Sequence, residues 1–253
     1  MENNYSSLKG KLFLITGITS GIGKEIGLSL LRQGAKVIGI GRDATKIQET
    51  IDTTTKKNFL FISFDLTNVN EIEDTLSGLI KFYGKFDGFV HCAGKEETIP
   101  LSIYKADKIK SIFEVNVFSG IEVLRIFSKK KYSNENSSIV FFSSVMGELG
   151  QPGKVGYCAT KAAIIGIVNA ASLELAKRNI RVNAVSPGVV RTPMTQLLFD
   201  QLSGDNIKEI ESMHPLGVGE VDDISPMVLF LLSNESKWIT GQNIKIDGGY
   251  STQ

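Results

Sequence analysis

Short runs of β-branched and aromatic residues alternate along this chain with stretches of helical periodicity, and that alternation limits the fold more than any other feature. The runs are "KLFLIT" (11–16), "AKVIGI" (35–40), "NFLFISF" (58–64), "FDGFVH" (86–91), "SSIVFFS" (137–143), "IRVNAVS" (180–186) and "NIKI" (243–246). Most are apolar throughout instead of alternating, as strands covered on both faces are. Between them, segments 21–33, 68–83, 107–130 and 155–177 carry helical periodicity. Strand–helix alternation of this kind predicts an α/β fold, a doubly wound parallel sheet of seven strands with helices on both faces. Ligands of such sheets lie beyond the carboxyl ends of the strands, so functional residues are expected there. No second compositional region interrupts residues 1–253, and one domain is expected.

Composition narrows the function classes. The 28 basic and 27 acidic residues are spread along the chain, which gives no field for nucleic acid or an anionic membrane surface. The start, "MENNYSSLKGK", has no apolar leader pattern, and uninterrupted apolar runs such as "VLFLL" are too short to span a bilayer, so a cytoplasmic protein is expected. Cys92 and Cys158, with His91 and His214, form no metal-ligand spacing and read as small core residues; no metal is expected.

The first strand runs into "GITSGIGKEIGLSLLRQG", with Gly17, Gly21 and Gly23 between a strand and an amphipathic helix. Glycines there permit a sharp turn and a close approach to a pyrophosphate, while the helix start offers free N–H groups to its negative charge. The spacing G-x-x-x-G-x-G, preceded by Thr16, resembles the signature of the short-chain dehydrogenase/reductase family. The resemblance continues in order through "FDLTN", "HCAG", "EVNVFSG", "SSV", "YCATK", "VSPGVVRTP" and "ITGQNIKIDGG". It implies a single Rossmann domain that binds a nicotinamide dinucleotide, and an oxidoreductase interconverting a carbonyl and a secondary alcohol. The general look is that of the 3-oxoacyl-acyl-carrier-protein reductases and their sugar, steroid and polyol relatives. Cofactor-binding positions implied by the match are Gly17, Thr19, Ser20, Gly21, Ile22 and Gly23, then Asp65 and Leu66, then Cys92, Ala93 and Gly94. Pro187, Gly188, Val190 and Thr192 would lie against the nicotinamide, with Thr192 and the Val190 backbone on its carboxamide.

The second strand ends "VIGIGRD". Where an acid would bind the ribose 2′-hydroxyl the chain has Gly41, and Arg42 follows it, suited to a 2′-phosphate. NADP(H) is therefore favoured over NAD(H). The alternative leaves Arg42 as a solvated helix-start residue and Asp43 as a cap.

Tyr157 and Lys161 are four apart on one helix, so their side chains project within about 40° of each other and reach one ligand. A free phenol titrates near pH 10, and bringing it to neutrality takes about 4 kcal/mol of preferential stabilisation of the phenolate. A nearby ammonium has the right sign, and Lys161 is expected to supply it. By resemblance, Tyr157 exchanges the proton, Lys161 holds the nicotinamide ribose, and Ser144 orients the substrate carbonyl. Ser143 should face the other way and bond locally. Asn116 is a misfit inside a helix; by resemblance it bends the helix and holds a water leading to Lys161, and the plainer alternative is that it satisfies a backbone group.

His91 stands where the family carries asparagine and reads as a hydrogen-bonded core histidine. Segment 189–214 is a candidate lid, with Met194, Leu197, Leu198, Phe199 and Leu202 either closing over the substrate or packing a short helix. Lys95, Glu96 and Glu97 are expected at the mouth of the pocket. Arg178 and Lys129, Lys130 and Lys131 would suit an acyl carrier protein, or are solvated helix ends. The resemblance implies a homotetramer or homodimer. The expected substrate is a small carbonyl or alcohol. An NAD-dependent dehydrogenase of a polar alcohol and a non-catalytic dinucleotide sensor are the competing functions.

Overall fold

In the computed structural model, which describes residues 5–48, 56–200 and 203–252, the seven apolar runs are strands of one sheet. They are β1 (Leu12–Thr16), β2 (Lys36–Gly41), β3 (Phe59–Ser63), β4 (Phe86–His91), β5 (Ser133–Phe142), β6 (Arg181–Pro187) and β7 (Asn243–Ile246). All pair in parallel in the order β3-β2-β1-β4-β5-β6-β7, so the winding reverses between β1 and β4. Side chains alternate across the pleat into two cores. Leu12, Leu14, Ile139 and Phe141 face one, and Phe13, Ile15, Val140 and Phe142 the other. Both faces therefore need apolar residues, which is why these strands read as unbroken hydrophobic runs.

The described helices are α1 (Gly21–Arg32), α2 (Thr45–Gln48), α3 (Ile72–Tyr83), α4 (Ala106–Phe113), α5 (Ser119–Phe127), α6 (Val155–Leu175), α7 (Pro193–Phe199), α8 (Gly204–Ser212) and α9 (Val221–Leu232). α3, α5 and α6 cover the first core through residues such as Leu76, Ile126 and Ile164; α1 and α9 cover the second through Ile26, Leu30 and Val228. By length and composition the helical stretch Val155–Arg178 is apolar enough to cross a membrane, although no single apolar run in the sequence suggested it. Here it packs Ile164, Val168 and Leu175 on the sheet and carries a buried lysine, as a core helix does.

Two local features depart from simple periodicity. β5 begins at Ser133 opposite Phe86, earlier than the apolar run predicts, bulges at Asn136 (φ 62°) and resumes at Ser138 opposite Gly88. Between α4 and α5 the chain makes a π turn at Glu114–Phe118, one residue too many for an α-helical ladder, with Asn116 at its centre.

Candidate active site

The carboxyl ends of β1, β2, β4, β5 and β6 open into one cleft of about 820 Å³. Every predicted cofactor-binding residue lines it, from Gly17 through Thr192, and so do Ser144, Tyr157 and Lys161. Of the predicted catalytic residues only Asn116 stands behind the wall. On the β1 side, Gly17 turns with φ 70°, and a Cβ there would stand 2.7 Å from the Ala93 nitrogen. A Cβ on Gly23 would stand 2.4 Å from the Gly17 carbonyl oxygen. The first turn of α1 thus lies tight under the glycine loop, and its N-cap Ser20 makes no side-chain cap, which leaves the helix N–H groups to an anion. A dinucleotide pyrophosphate fits this cradle.

At the end of β2 a Cβ on Gly41 would stand 2.6 Å from the Thr19 methyl, so an acidic side chain where a 2′-hydroxyl would be bound would have to displace Thr19. Arg42 is exposed beside it and lines the cleft, its carbonyl held by the Ser63 hydroxyl at 3.1 Å. Asp43 Oδ1 accepts from the Thr45 N–H at 3.0 Å and the Thr45 hydroxyl at 2.7 Å, the capping role of the alternative reading, while Arg42 remains turned to the cleft. Asp65 is held below the ordinary carboxylate range, chiefly by hydrogen bonds from the Thr67 backbone and hydroxyl, with Arg42 adding to it.

Opposite lies the predicted reaction centre. Ser144, at the end of β5, bonds to the Tyr157 hydroxyl, and its Oγ also accepts from the Met146 N–H at 3.2 Å. Ser143 also borders the cleft, against the expectation that it faces the other way, but its hydroxyl makes the local bond expected of it, donating to the Lys161 carbonyl at 2.8 Å. Lys161, 7% exposed, donates to the Phe142 carbonyl at 2.8 Å, and its Nζ lies 5.6 Å from the Tyr157 ring centroid. The expected direction of the tyrosine shift is overturned among the protein's own groups. Burial pushes the phenol up to about 12, with the Ser144 hydrogen bond opposing. Burial also pushes the Lys161 ammonium down to about 8. At neutral pH the site therefore presents a protonated phenol beside a charged ammonium.

Asn116, 1% exposed, accepts from the Lys95 N–H at 2.8 Å and donates to the Lys95 carbonyl at 2.9 Å and the Thr160 hydroxyl at 3.1 Å. Thr160 in turn donates to the Tyr157 carbonyl at 2.8 Å. The asparagine thus ties the π turn, the segment after β4 and the first turns of α6 together, satisfying backbone groups as the plainer reading held. His91 is a core residue, its Nδ1 paired with the Thr16 hydroxyl at 3.0 Å, and burial first, then Lys161, pushes it down to about 3. Both cysteines are half-buried; Cys92 packs against the second core, as the core reading expects, and also lines the cleft, its thiol pushed up to about 12 by burial.

The lid differs from its sequence reading. Met194 lines the cleft, Phe199 is buried and Leu197 is 66% exposed; Leu202 and the side chain of Leu198 fall outside the described residues. Beside Pro193, Met194 and Thr195 of α7, the cleft is lined on this side by Asn206, Glu209 and Ile210 of α8 and by Met213 in the turn after it. His214, assigned no role from sequence, fastens this wall. Its Nε2 accepts from the Val189 N–H at 3.2 Å, its Nδ1 donates to the Ile210 carbonyl at 2.8 Å, and its ring lies against that of Tyr250, tilted by 31° with centroids 4.8 Å apart. His214→Phe keeps the ring contact and strands both backbone partners, so it is expected to lower unfolding free energy by about 1–3 kcal/mol, read from the denaturant midpoint. An unchanged midpoint would show that the clamp contributes nothing.

Lys154 also escaped the sequence reading. It lines the cleft paired with Glu96, its Nζ 5.8 Å from the Tyr157 ring centroid. The basic residues assigned to a carrier protein are largely committed elsewhere. Arg178 donates to the Ser128 and Ser133 carbonyls at 2.9 and 2.7 Å, and Lys129 to both oxygens of Glu73 at 2.6 and 2.8 Å.

Comparison with known proteins agrees with this geometry. The family model described as enoyl-(acyl carrier protein) reductase matches residues 17–251. The 3-oxoacyl-[acyl-carrier-protein] reductase FabG of Thermotoga maritima is 36% identical over 250 residues, covering 96% of this chain and 98% of that protein. Its namesake from Chlamydia muridarum is 35% identical over 252 residues, with 96% and 98% covered. Among solved structures, the aldohexose dehydrogenase of Thermoplasma acidophilum superposes with a TM-score of 0.87 at 26% identity, covering 99% of this chain and 97% of that one. ElxO with NADP bound superposes with a TM-score of 0.85 at 29% identity, covering 96% and 100%. With the fold, the glycine cradle and the serine, tyrosine and lysine in one cleft, the chain belongs to the short-chain dehydrogenase/reductase family of oxidoreductases.

Proposed function

We propose that this protein is an NADP(H)-dependent reductase of 3-oxoacyl thioesters carried by an acyl carrier protein, with Tyr157 as the proton donor. The observation that carries the reading is the meeting of the Ser144 and Tyr157 hydroxyls beside Lys161, on the far side of the cleft from the glycine cradle. Two hydroxyls at one point suit a single substrate oxygen, which favours a carbonyl over a carbon–carbon double bond. The thioester follows the names of the FabG relatives.

Gly17 to Gly23 would hold the pyrophosphate, Arg42 the 2′-phosphate, and Asp65 and Leu66 the adenine. Cys92, Ala93 and Gly94 would form the floor, and Pro187, Gly188, Val190 and Thr192 would hold the nicotinamide. When bound, the reduced nicotinamide supplies the hydride. Ser144 polarises the carbonyl, Tyr157 Oη gives its proton to the forming alkoxide, and the charged Lys161 stabilises the phenolate left behind. Fixing both partners in one cleft converts the encounter into a unimolecular step. Asn116 serves as a positioning residue through Lys95 and Thr160.

NADP is the cofactor bound in the ElxO structure, and the Gly41–Arg42 pair supports the same choice here. Arg42→Ala is expected to raise the NADPH dissociation constant about tenfold to a hundredfold and to leave NADH unchanged. Equal binding of the two cofactors by the parent protein, measured by fluorescence titration, would overturn the assignment. The apolar residues Phe118 at the end of the π turn, Ile121 on α5, and Val155 and Leu173 on α6 are exposed, and they support a homotetramer or homodimer formed through these helices. One domain spanning 1–253 and a cytoplasmic setting complete the proposal. Following NADPH absorbance with acetoacetyl thioesters, diketones and keto-sugars tests the reading; turnover of none of the thioesters would overturn it.

A further inference from the structure

The substrate half of the cleft is charged at a point where three separate preferences oppose charge. Lys154 is 5% exposed, it is the N-cap of α6 where a cation faces the positive end of the helix, and its partner Glu96 is itself largely withdrawn from water, keeping 17% of its side chain exposed. A buried ion pair of this kind is a poor source of stability, since well-packed apolar residues of similar volume do as well. What the pair does present is a fixed donor and acceptor at the cleft wall, with the ammonium 5.8 Å from the ring centroid of Tyr157. Lys95, Gln151, Asn206 and Glu209 line the same cleft, and Lys95 is itself paired with Glu97 at 2.9 Å and bonded to Ser111 at 2.8 Å.

We infer that the Lys154–Glu96 pair is a specificity determinant, which selects carbonyl substrates with an amide- or hydroxyl-bearing arm and rejects those whose arms are purely aliphatic. The inference rests on the carbonyl-reductase reading of Tyr157 and Ser144. An alkyl arm laid against the pair strips the water that remains on its cleft side and returns no hydrogen bond, whereas an amide or hydroxyl returns both a donor and an acceptor. The polar arm of a pantetheine thioester meets this requirement, and so does the hydroxylated arm of a keto-sugar.

The test compares kcat/KM for the acetoacetyl thioester of N-acetylcysteamine with that for an aliphatic 2,4-diketone of matching length, using NADPH, in the parent protein and in Lys154→Leu/Glu96→Leu. Both residues are replaced together because either single change strands a buried charge. The ratio is expected to fall at least about tenfold in the double variant, and comparing the two proteins cancels the intrinsic reactivity of the substrates. An unchanged ratio in a double variant that still binds NADPH overturns the inference. If that variant does not bind NADPH, the parent protein decides with a keto-sugar against a 2-alkanone of equal heavy-atom count: about tenfold or more in favour of the sugar supports the inference, and no preference overturns it. The same second pair separates the two levels of the argument. A protein that reduces no thioester yet favours the polar ketone, with the preference lost in the double variant, keeps the determinant and loses the thioester assignment.

Discussion

Tyr157→Phe lowers kcat for NADPH-dependent carbonyl reduction by about 10²- to 10⁴-fold, equivalent to about 3–5 kcal/mol of activation free energy. The loss falls on the chemical step because the ring that borders the cleft is preserved and only the hydroxyl bonded to Ser144 is removed. NADPH affinity is expected to stay within about twofold, since the glycine cradle and Arg42 are untouched. Single-turnover absorbance separates binding from chemistry here, and a variant that reduces its substrate at the parental rate would remove Tyr157 from the mechanism. The protonated state of the phenol at neutral pH, held by burial, is the form that reduction consumes.

Lys161→Met carries the second large effect, with stability and activity moving in opposite directions. The ammonium titrates near 8 in the folded protein against about 10.5 in the unfolded chain, so between those values the unfolded state binds more protons. Stability therefore rises with pH across that window, and at pH 7 the buried charge costs up to about 3 kcal/mol. Losing the bond to the Phe142 carbonyl offsets part of this, so the variant is expected to be more stable by about 1–2 kcal/mol at pH 7, with the gain vanishing above about pH 10. Its reductase activity should fall at least about a hundredfold. In the parent protein kcat/KM should decline about tenfold per pH unit above about pH 8, as Lys161 loses its proton, and that limb should be absent from the variant. A melting temperature at pH 7 below that of the parent would contradict the stability account. A parental rate profile flat from pH 7 to 10 would contradict the catalytic one.

How much of this was legible in the sequence depends on whether a residue's role is local. The strands were, because burial on both faces demands unbroken apolar runs. The start of β5 was not, because "SNEN" is polar and its pairing depends on a bulge at Asn136. The glycine cradle and the Tyr157–Lys161 pair could be read from spacing alone, one from a turn and the other from the helical repeat. The direction of the phenol's shift could not, since it depends on how deeply the cleft buries Tyr157 against how near Lys161 stands. Asn116 announced itself as a misfit but not its partners, which come from Lys95 and Thr160. Lys154 and His214 left no signal: an ammonium before a helix and a histidine after one are ordinary in sequence, and only the fold turns them toward Glu96 and Val189.

The π turn at Glu114–Phe118 carries a consequence for how the gene can vary in length. Removing any one residue from it would let the helix from Ala106 to Phe127 close into a regular ladder, a local gain in hydrogen bonding. The same deletion would rotate everything on one side of the cut by about 100° relative to the other. Either Asn116 would leave Lys95, or Val123 and Ile126 would leave the core. The extra residue is thus a fixed count in the helix, and single-residue deletions there should be far less tolerated than substitutions at its exposed positions.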